Sequence, residues 1–548
     1  MKKVVKAGLA GLLITASLSA CTGKTESSNN ADNVLKVDSN GKYTEPVEVS
    51  IGKGIDANYK FEGNDTAENN AYTRWLKDRY NIDIKHEWEA SAGDYEQKVS
   101  LTIASNDLPD AMLVNESQLK QMIKADQLAD LSEVYEEYGS ERLKDIYKSN
   151  PGLLDNVTVD EKLYAFPETT LPSAPMTWIR KDWLDKLGLQ PPKNLQDVEN
   201  IAQAFIDNNM GGQDTIGIVG TAQGGALYPT FLTSGDHSFN LAPVFFANNA
   251  YPGIWVKDED GKAVYGSTLP ETKATLALLN EWYKKGILDK ELGLRKSSQE
   301  VIASGKTGIY FGAWWTPYNI EDSIKNDPNA NWRPYAAPVD TAGVLNSNET
   351  TGSQYIVVSK EYEHPEAIVE LLNIHVNEKD ASYKEAVGKE MTSQEIPLFT
   401  IMGHGDQLKY AVDTTRKFLA GEISLEEVDK VNYGFTYELV SHAKNTKKEP
   451  YDNYDIQYWN KDDEFFTHVY SHLNGGSTFV DADINYVRSL ATAKTQTMQT
   501  RWTNLKKLED ETFLKIIFGN APLSDFDKFV EQWKEQGGDQ ITKEVNEQ

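Results

Sequence analysis

Short runs of β-branched and other apolar residues, bounded by polar and turn residues, recur along the chain. They predict strands at 47–54 (VEVSIGKG), 81–88 (NIDIKHEW), 110–114 (DAMLV), 215–220 (TIGIVG), 307–312 (TGIYFG) and 353–359 (SQYIVVS). Between them apolar positions return with helical spacing at 71–80, 194–206 and 271–286. Strands alternating with helices imply an α/β body with mostly parallel sheets. In 298–308 (SQEVIASGKTG) the pattern switches from helix to strand at Gly305. The C-terminal third reads as mainly helical, at 423–431, 481–502 and 522–536. In the last of these, Ser524 before Asp525 and Asp527 has the pattern of an N-cap with acids in the first turn.

The first residues follow a different pattern. Lys2, Lys3 and Lys6 precede an unbroken apolar or small run from Ala7 to Ala20. A membrane-spanning helix needs roughly 20 residues, so this shorter run reads as a secretory signal and the mature body as soluble and exported. The run closes on Leu18-Ser19-Ala20-Cys21, and Cys21 is the only cysteine. This leader resembles a bacterial lipoprotein signal, which implies a diacylglycerol thioether on Cys21 and attachment to the membrane. Residues 22–42 are polar and rich in Ser, Asn and Gly, the composition of a flexible tether.

Composition narrows the function. A chain of 548 residues exceeds one compact core, so two or more lobes are expected. Acidic residues outnumber basic ones, 83 against 55, for a net charge of −28 that repels a phosphate backbone and argues against nucleic acid. A single cysteine excludes a disulfide framework and any cysteine-rich metal site.

Four stretches in order, 104–114 (ASNDLPDAMLV), 177–198 (TWIRKDWLDKLGLQPPKNLQDV), 305–320 (GKTGIYFGAWWTPYNI) and 525–548, resemble the extracellular solute-binding proteins of carbohydrate ABC importers, in the large lipoprotein branch found mostly in Gram-positive bacteria. The resemblance implies a type II two-lobed periplasmic-binding-protein-like fold with a ligand between the lobes. It places interlobe crossovers near Leu171, Gly312 and Ser359. The expected division is a signal peptide (1–20), a lipidated Cys21 with tether (21–42), an N-terminal lobe (43–170 with 313–358) and a C-terminal lobe (171–312 with 359–548). The partners implied are a carbohydrate and the permease subunits, with the chain monomeric, not an enzyme, and without a required cofactor. The rival readings are an exported carbohydrate-active enzyme and a ligand-sensing surface lipoprotein.

Gly305-Lys306-Thr307 imitates a phosphate loop, but Glu300 stands where that loop needs its first glycine. His468 and His472 share a helix face with Glu464, a zinc-like spacing set among Phe465, Phe466, Tyr470 and Leu473. Asp207, Asn209, Gln213 and Asp214 surround Gly211-Gly212 and are candidate calcium donors. Some proteins of the resembled group bind calcium in a longer loop here. The competing reading is a polar helix-to-strand turn.

Sugars offer C–H faces and hydroxyl edges, so aromatic platforms beside hydrogen-bonding side chains are the expected chemistry. Trp314, Trp315 and Tyr318 follow a predicted strand, where ligands of open α/β sheets bind. Adjacent side chains point to opposite faces, so one tryptophan is expected at the ligand and its neighbour in the core. Further candidates are Asn115 and Glu116 after the strand 110–114, Trp178 and Arg180 after the first crossover, Tyr228, Trp255, and Tyr355 near the third. Trp183 and Leu184 read as a buried helix face.

Overall fold

The computed structural model describes residues 35–547 except 40, 57–58, 92–93, 150–151, 170, 222–226, 231–238, 296–297, 349–353, 377–391, 399, 402, 431–432 and 492–493. Cys21, the leader and most of the expected tether lie outside the described residues.

The first lobe is built on a five-stranded sheet in the order Ile82–Ser91, Val47–Ile55, Ala111–Val114, Tyr355–Val358, Phe166–Pro167. The first three strands are parallel. Tyr355–Val358 runs antiparallel to both its neighbours. Local chemistry sets the helices between them. Asn70 opens the helix Ala71–Tyr80 by accepting from the Tyr72 and Thr73 amides, while Thr73 Oγ1 accepts from the Asn70 amide. Asn115 opens Glu116–Lys124 in the same way, immediately after the strand Ala111–Val114.

The second lobe carries an antiparallel sheet, Ile309–Gly312, Met176–Arg180, Trp332–Tyr335. The expected strand at 215–220 contributes two parallel bridges, Ile216 to Thr307 and Ile218 to Leu288. The sheets are therefore mixed rather than mostly parallel. Hydrophobic period sets strand identity but not strand direction, which depends on where the chain returns.

Strand pairing also corrects two expected crossovers. The chain changes sheet between Phe166–Pro167 and Met176–Arg180, around Leu171. After Gly312, however, it stays in the second lobe: Trp332–Tyr335 pairs with Met176–Arg180, and the Trp332 ring packs 5.1 Å from Tyr310. The next passage lies between Leu345–Asn348 and Tyr355–Val358. Past Ser359 the chain remains in the first lobe, because the helix Pro365–Val376 and the side chains of Ile396, Leu398 and Ile401 join its core. It returns to the second lobe before the helix Gln407–Ala420, whose buried face packs with Trp314 and Phe479.

The C-terminal third departs from its helical reading. Ile484–Val487 is a strand, parallel to Leu345–Asn348, and the helix begins only at Gln496, capped by Thr495. Ser524 is itself in helical conformation and makes no capping hydrogen bond. Among the described residues, no helix is long and apolar enough to cross a membrane.

Candidate functional site

The first lobe brings Asn115, Glu116 and Tyr355 together. Tyr355 stands opposite Val114 across the antiparallel pair, so its ring lies beside the turn that follows this strand. Asn115 Oδ1 accepts from the Gln118 amide at 3.0 Å, and the Asn115 amide donates to Gln118 Oε1 at 3.0 Å. Glu116 pairs with Lys120 at 2.7 Å. Burial pushes the Tyr355 hydroxyl up to about 12, and the nearby Glu116 and Glu168 charges add to this against Arg488.

Arg488 comes from the second lobe, just beyond the strand Ile484–Val487, on which Tyr486 is exposed. A few residues on, Lys494 reaches Glu96 of the first lobe at 3.4 Å. Glu96 belongs to the same corner, since Gln118 Nε2 donates to its carbonyl at 3.2 Å. Sequence pattern does not single out Tyr486 and Arg488, because the segment 481–502 reads as helix. The β-branched and aromatic residues Ile484, Tyr486 and Val487 are the local signal for a strand here.

On the second lobe, Trp314, Trp315 and Tyr318 occupy the turn after Ile309–Gly312. Thr316 closes the turn, its amide and hydroxyl both donating to the Ala313 carbonyl. A Cβ at Gly312 would meet Thr316 Cγ2 at 2.6 Å, so a side chain there would obstruct this closure. Trp314 is buried among Met176, Val412 and Phe479, while Trp315 is half-buried and packs against this cluster. Tyr318 is also half-buried, with its ring edge-on to His468 at 5.0 Å.

The other candidates lie in the interior of the second lobe. Trp178 is fully buried, stacks on Tyr310, and donates from Nε1 to the Gly312 and Ala313 carbonyls at 3.2 and 3.3 Å. Arg180 is buried against Asp182 and Asp327, at 2.6 and 2.7 Å, with its guanidinium over the Trp183 ring. Tyr228 donates to the buried Glu509 carboxylate at 2.6 Å. Trp255 packs 4.4 Å from Tyr265 and donates to Thr542 at 3.3 Å. Apart from the Arg180–Asp182 pair, their bonds go to partners far away in sequence, which no local pattern reveals.

The calcium candidates form a turn organised by its own bonds. Thr215 Oγ1 accepts from the Gly211 amide and donates to the Gly212 carbonyl, and Asp207 accepts from Gln203. Asp207, Asn209, Gln213 and Asp214 are all exposed. Among the described residues, no group of three or more His, Cys, Asp or Glu side chains collects to hold a metal. His468 and His472 sit in an aromatic stack with Phe435 and Phe465. A surface groove of about 500 Å³ lined by Asn280, Lys284 and Leu523 contains none of the candidate residues.

The sequence matches the family of bacterial extracellular solute-binding proteins over residues 61–379, more than half of the chain. It is 23% identical over 463 residues to the polygalacturonan/rhamnogalacturonan-binding protein YtcQ of Bacillus subtilis strain 168, covering 82% of each chain. It is 22% identical over 477 residues to lipoprotein LipO of the same organism, covering 85% of this chain and 86% of that one. The solved structure of the Streptococcus pneumoniae ABC-transporter substrate-binding protein FusA in complex with kestose superposes with a TM-score of 0.55 at 16% identity, covering 91% of this chain and 98% of that one. With two α/β lobes joined by crossovers and a match of this extent, the chain belongs to the family of bacterial extracellular solute-binding proteins.

Proposed function

We propose that this protein captures a sugar or oligosaccharide between its lobes and presents it to the permease of an ABC importer. The observation that carries this reading is that each lobe offers one kind of surface suited to a sugar. Trp315 and Tyr318 are half-buried aromatic faces on the second lobe, and Asn115, Glu116 and Tyr355 form a polar corner on the first. Stacking on C–H faces and hydrogen bonding to hydroxyl edges are what a sugar offers. The ligands of YtcQ and FusA, both carbohydrates, support the same class.

The mechanism is equilibrium capture. Ligand contacts divided between the lobes favour the closed form over the open one, and the permease reads the closed shape. Solute capture needs no cofactor, and nucleotide hydrolysis belongs to a separate subunit, in keeping with Glu300 in place of the phosphate-loop glycine. A monomer suffices for this cycle.

We also propose that lipid on Cys21 holds the protein at the outer face of the cell membrane, a reading supported by the leader and by the lipoprotein relative. Two acyl chains, at about 0.8 kcal/mol per buried methylene, retain a protein where one barely does. The expected tether is shortened at its end, because the Val37–Tyr43 bridge and Leu35 against the core tie residues from 35 onward to the first lobe. A flexible stretch of residues 22–34 would span roughly 20 Å root-mean-square. Mass spectrometry of the mature N-terminus checks this, and an unmodified end would overturn it.

The deciding experiment is a thermal-shift screen of a sugar library on the protein lacking residues 1–21, with product analysis of every hit. A stabilising sugar recovered unchanged supports capture. Turnover would favour a carbohydrate-active enzyme, and a screen without any hit would count against the carbohydrate reading.

A further inference from the structure

The histidine pair singled out for its metal-like spacing has another role. Phe466–Tyr470, Ser471–Gly476 and Ser477–Val480 form one continuous helical rod whose middle segment widens into a π-type turn. Such turns are rare and are found frequently at functional sites. All six residues of this turn are buried.

The wide turn is fastened on one side to the second-lobe sheet. Tyr470 Oη and Asn474 Nδ2 both donate to the Trp332 carbonyl, at 2.6 and 2.9 Å. On its other side it meets the tryptophan turn directly. A Cβ added to Gly475 would lie 2.2 Å from the Trp314 carbonyl oxygen and 2.9 Å from its carbon. That obstacle is backbone, so no rotamer change relieves it. The His472 ring meets the Trp314 ring at 4.9 Å and the His468 ring meets Tyr318 at 5.0 Å, both edge to face. His472 is fixed in turn, because Nδ1 donates to the His468 carbonyl at 2.8 Å. The Trp314 indole nitrogen is buried and has no hydrogen-bond partner among the described residues. Packing rather than hydrogen bonding therefore holds that ring, and Trp314 is the wall against which Trp315 stands, 5.7 Å away.

We infer that the Ser471–Gly476 turn is the seat that sets how Trp315 and Tyr318 face the ligand, with Gly475 and His472 as positioning residues for binding. This rests on the proposed carbohydrate site. It gives an otherwise unexplained glycine and a buried histidine one purpose: the glycine allows the backbone approach, and the histidine sets the tilt of the first indole.

The test uses the protein lacking residues 1–21, labelled with 5-fluorotryptophan and followed by fluorine NMR. The Trp314 and Trp315 resonances are assigned from Trp314→Phe and Trp315→Phe. Gly475→Ala is expected to move both resonances while the other tryptophans keep theirs, which certifies the fold. His472→Ala is expected to move them too, and His472→Phe, which keeps an aromatic edge against Trp314, to restore them largely. With kestose and trigalacturonate as probes, Gly475→Ala and His472→Ala are each expected to weaken binding about tenfold, and His472→Phe to recover most of it. Unmoved Trp315 resonances in both Gly475→Ala and His472→Ala would overturn the inference. If Gly475→Ala does not fold, the two His472 variants decide alone. If neither probe binds the parent protein, the carbohydrate reading loses support, while the resonance shifts still decide the seat.

Discussion

The indole rings of Trp314 and Trp315 meet edge to face, with centroids 5.7 Å apart and planes at 89°. Two neighbours in sequence therefore do different work. Trp314 is 4% exposed and closes a small core between Met176 and Phe479, while Trp315 keeps part of its face open.

Their alanine variants are expected to separate. Trp315→Ala should weaken sugar binding by about tenfold, on the scale of an aromatic contact worth roughly 0.5–1.5 kcal/mol beyond its buried area. Its melting temperature should barely change. Trp314→Ala opens a cavity and should cost roughly 3–5 kcal/mol of stability. Calorimetric titration and denaturant unfolding read the two effects, and equal behaviour of the pair would contradict this division.

Tyr228 distinguishes an interior residue from a ligand contact. Its hydroxyl donates to a carboxylate that also accepts from Tyr265 at 2.8 Å. Tyr228→Phe should cost roughly 1.5–3 kcal/mol, the range for a hydrogen bond to a charged group, and leave sugar affinity as it was. Lost affinity at full stability would return Tyr228 to the cleft.

Acid sensitivity should trace in part to His472. Burial holds its pKa down to about 4 in the folded protein, against an ordinary 6.5. As pH falls below 6.5 the unfolded chain takes up this proton first, so unfolding gains. The stability at stake is whole above about pH 6.5 and is lost progressively toward pH 4, by up to about 3 kcal/mol. His375, on the helix Pro365–Val376, is shifted in the same direction by burial. Relative to the parent, His472→Phe should flatten the fall in denaturation midpoint across this window. Parallel pH profiles would reject the assignment.

Lys494 and Glu96 join the two lobes through side chains that are 32% and 63% exposed. An exposed pair of this kind contributes roughly 0.2–1 kcal/mol and is screened by salt. Lys494→Glu should therefore reduce sugar affinity no more than about fivefold at low salt, with the loss shrinking at high salt. Adding Glu96→Lys to it should restore binding. Titrations of the single and double variants at two ionic strengths check this, and a loss that persists at high salt would point to direct ligand contact.

Much of the fold was legible because its signals act over a few residues. The strand readings at 47–54, 110–114 and 307–312 and the helix reading at 71–80 match the structure closely, since period and capping are local properties. Ser524 shows the limit of the same reasoning: it has the cap pattern, yet the chain enters the helix through a turn that needs no side-chain cap. Ile484–Val487 shows another limit, because its strand exists only through pairing with Leu345–Asn348.

The site was less legible for a related reason. Asn115, Glu116 and Tyr355 were within reach because strand ends are visible in sequence. Trp178 and Trp255 look equally suited to a sugar, but their indole nitrogens are used by Gly312 and Thr542, 134 and 287 positions away. Arg180 likewise turns to Asp327, 147 positions on.

By itself the sequence determined those strands and helices that local period marks, the lone cysteine that rules out a disulfide framework, and the stretches that resemble the family to which the chain belongs. These depend on composition and on spacing within a turn or a strand. Only the tertiary structure decided strand direction, where the chain passes between lobes, and which aromatics lie inside. Burial and long-range hydrogen bonds settle those questions, and both arise when distant segments compete for the same interior. Gly475 is the plainest case. Its need for a bare backbone comes from the carbonyl of Trp314, a neighbour that only folding supplies.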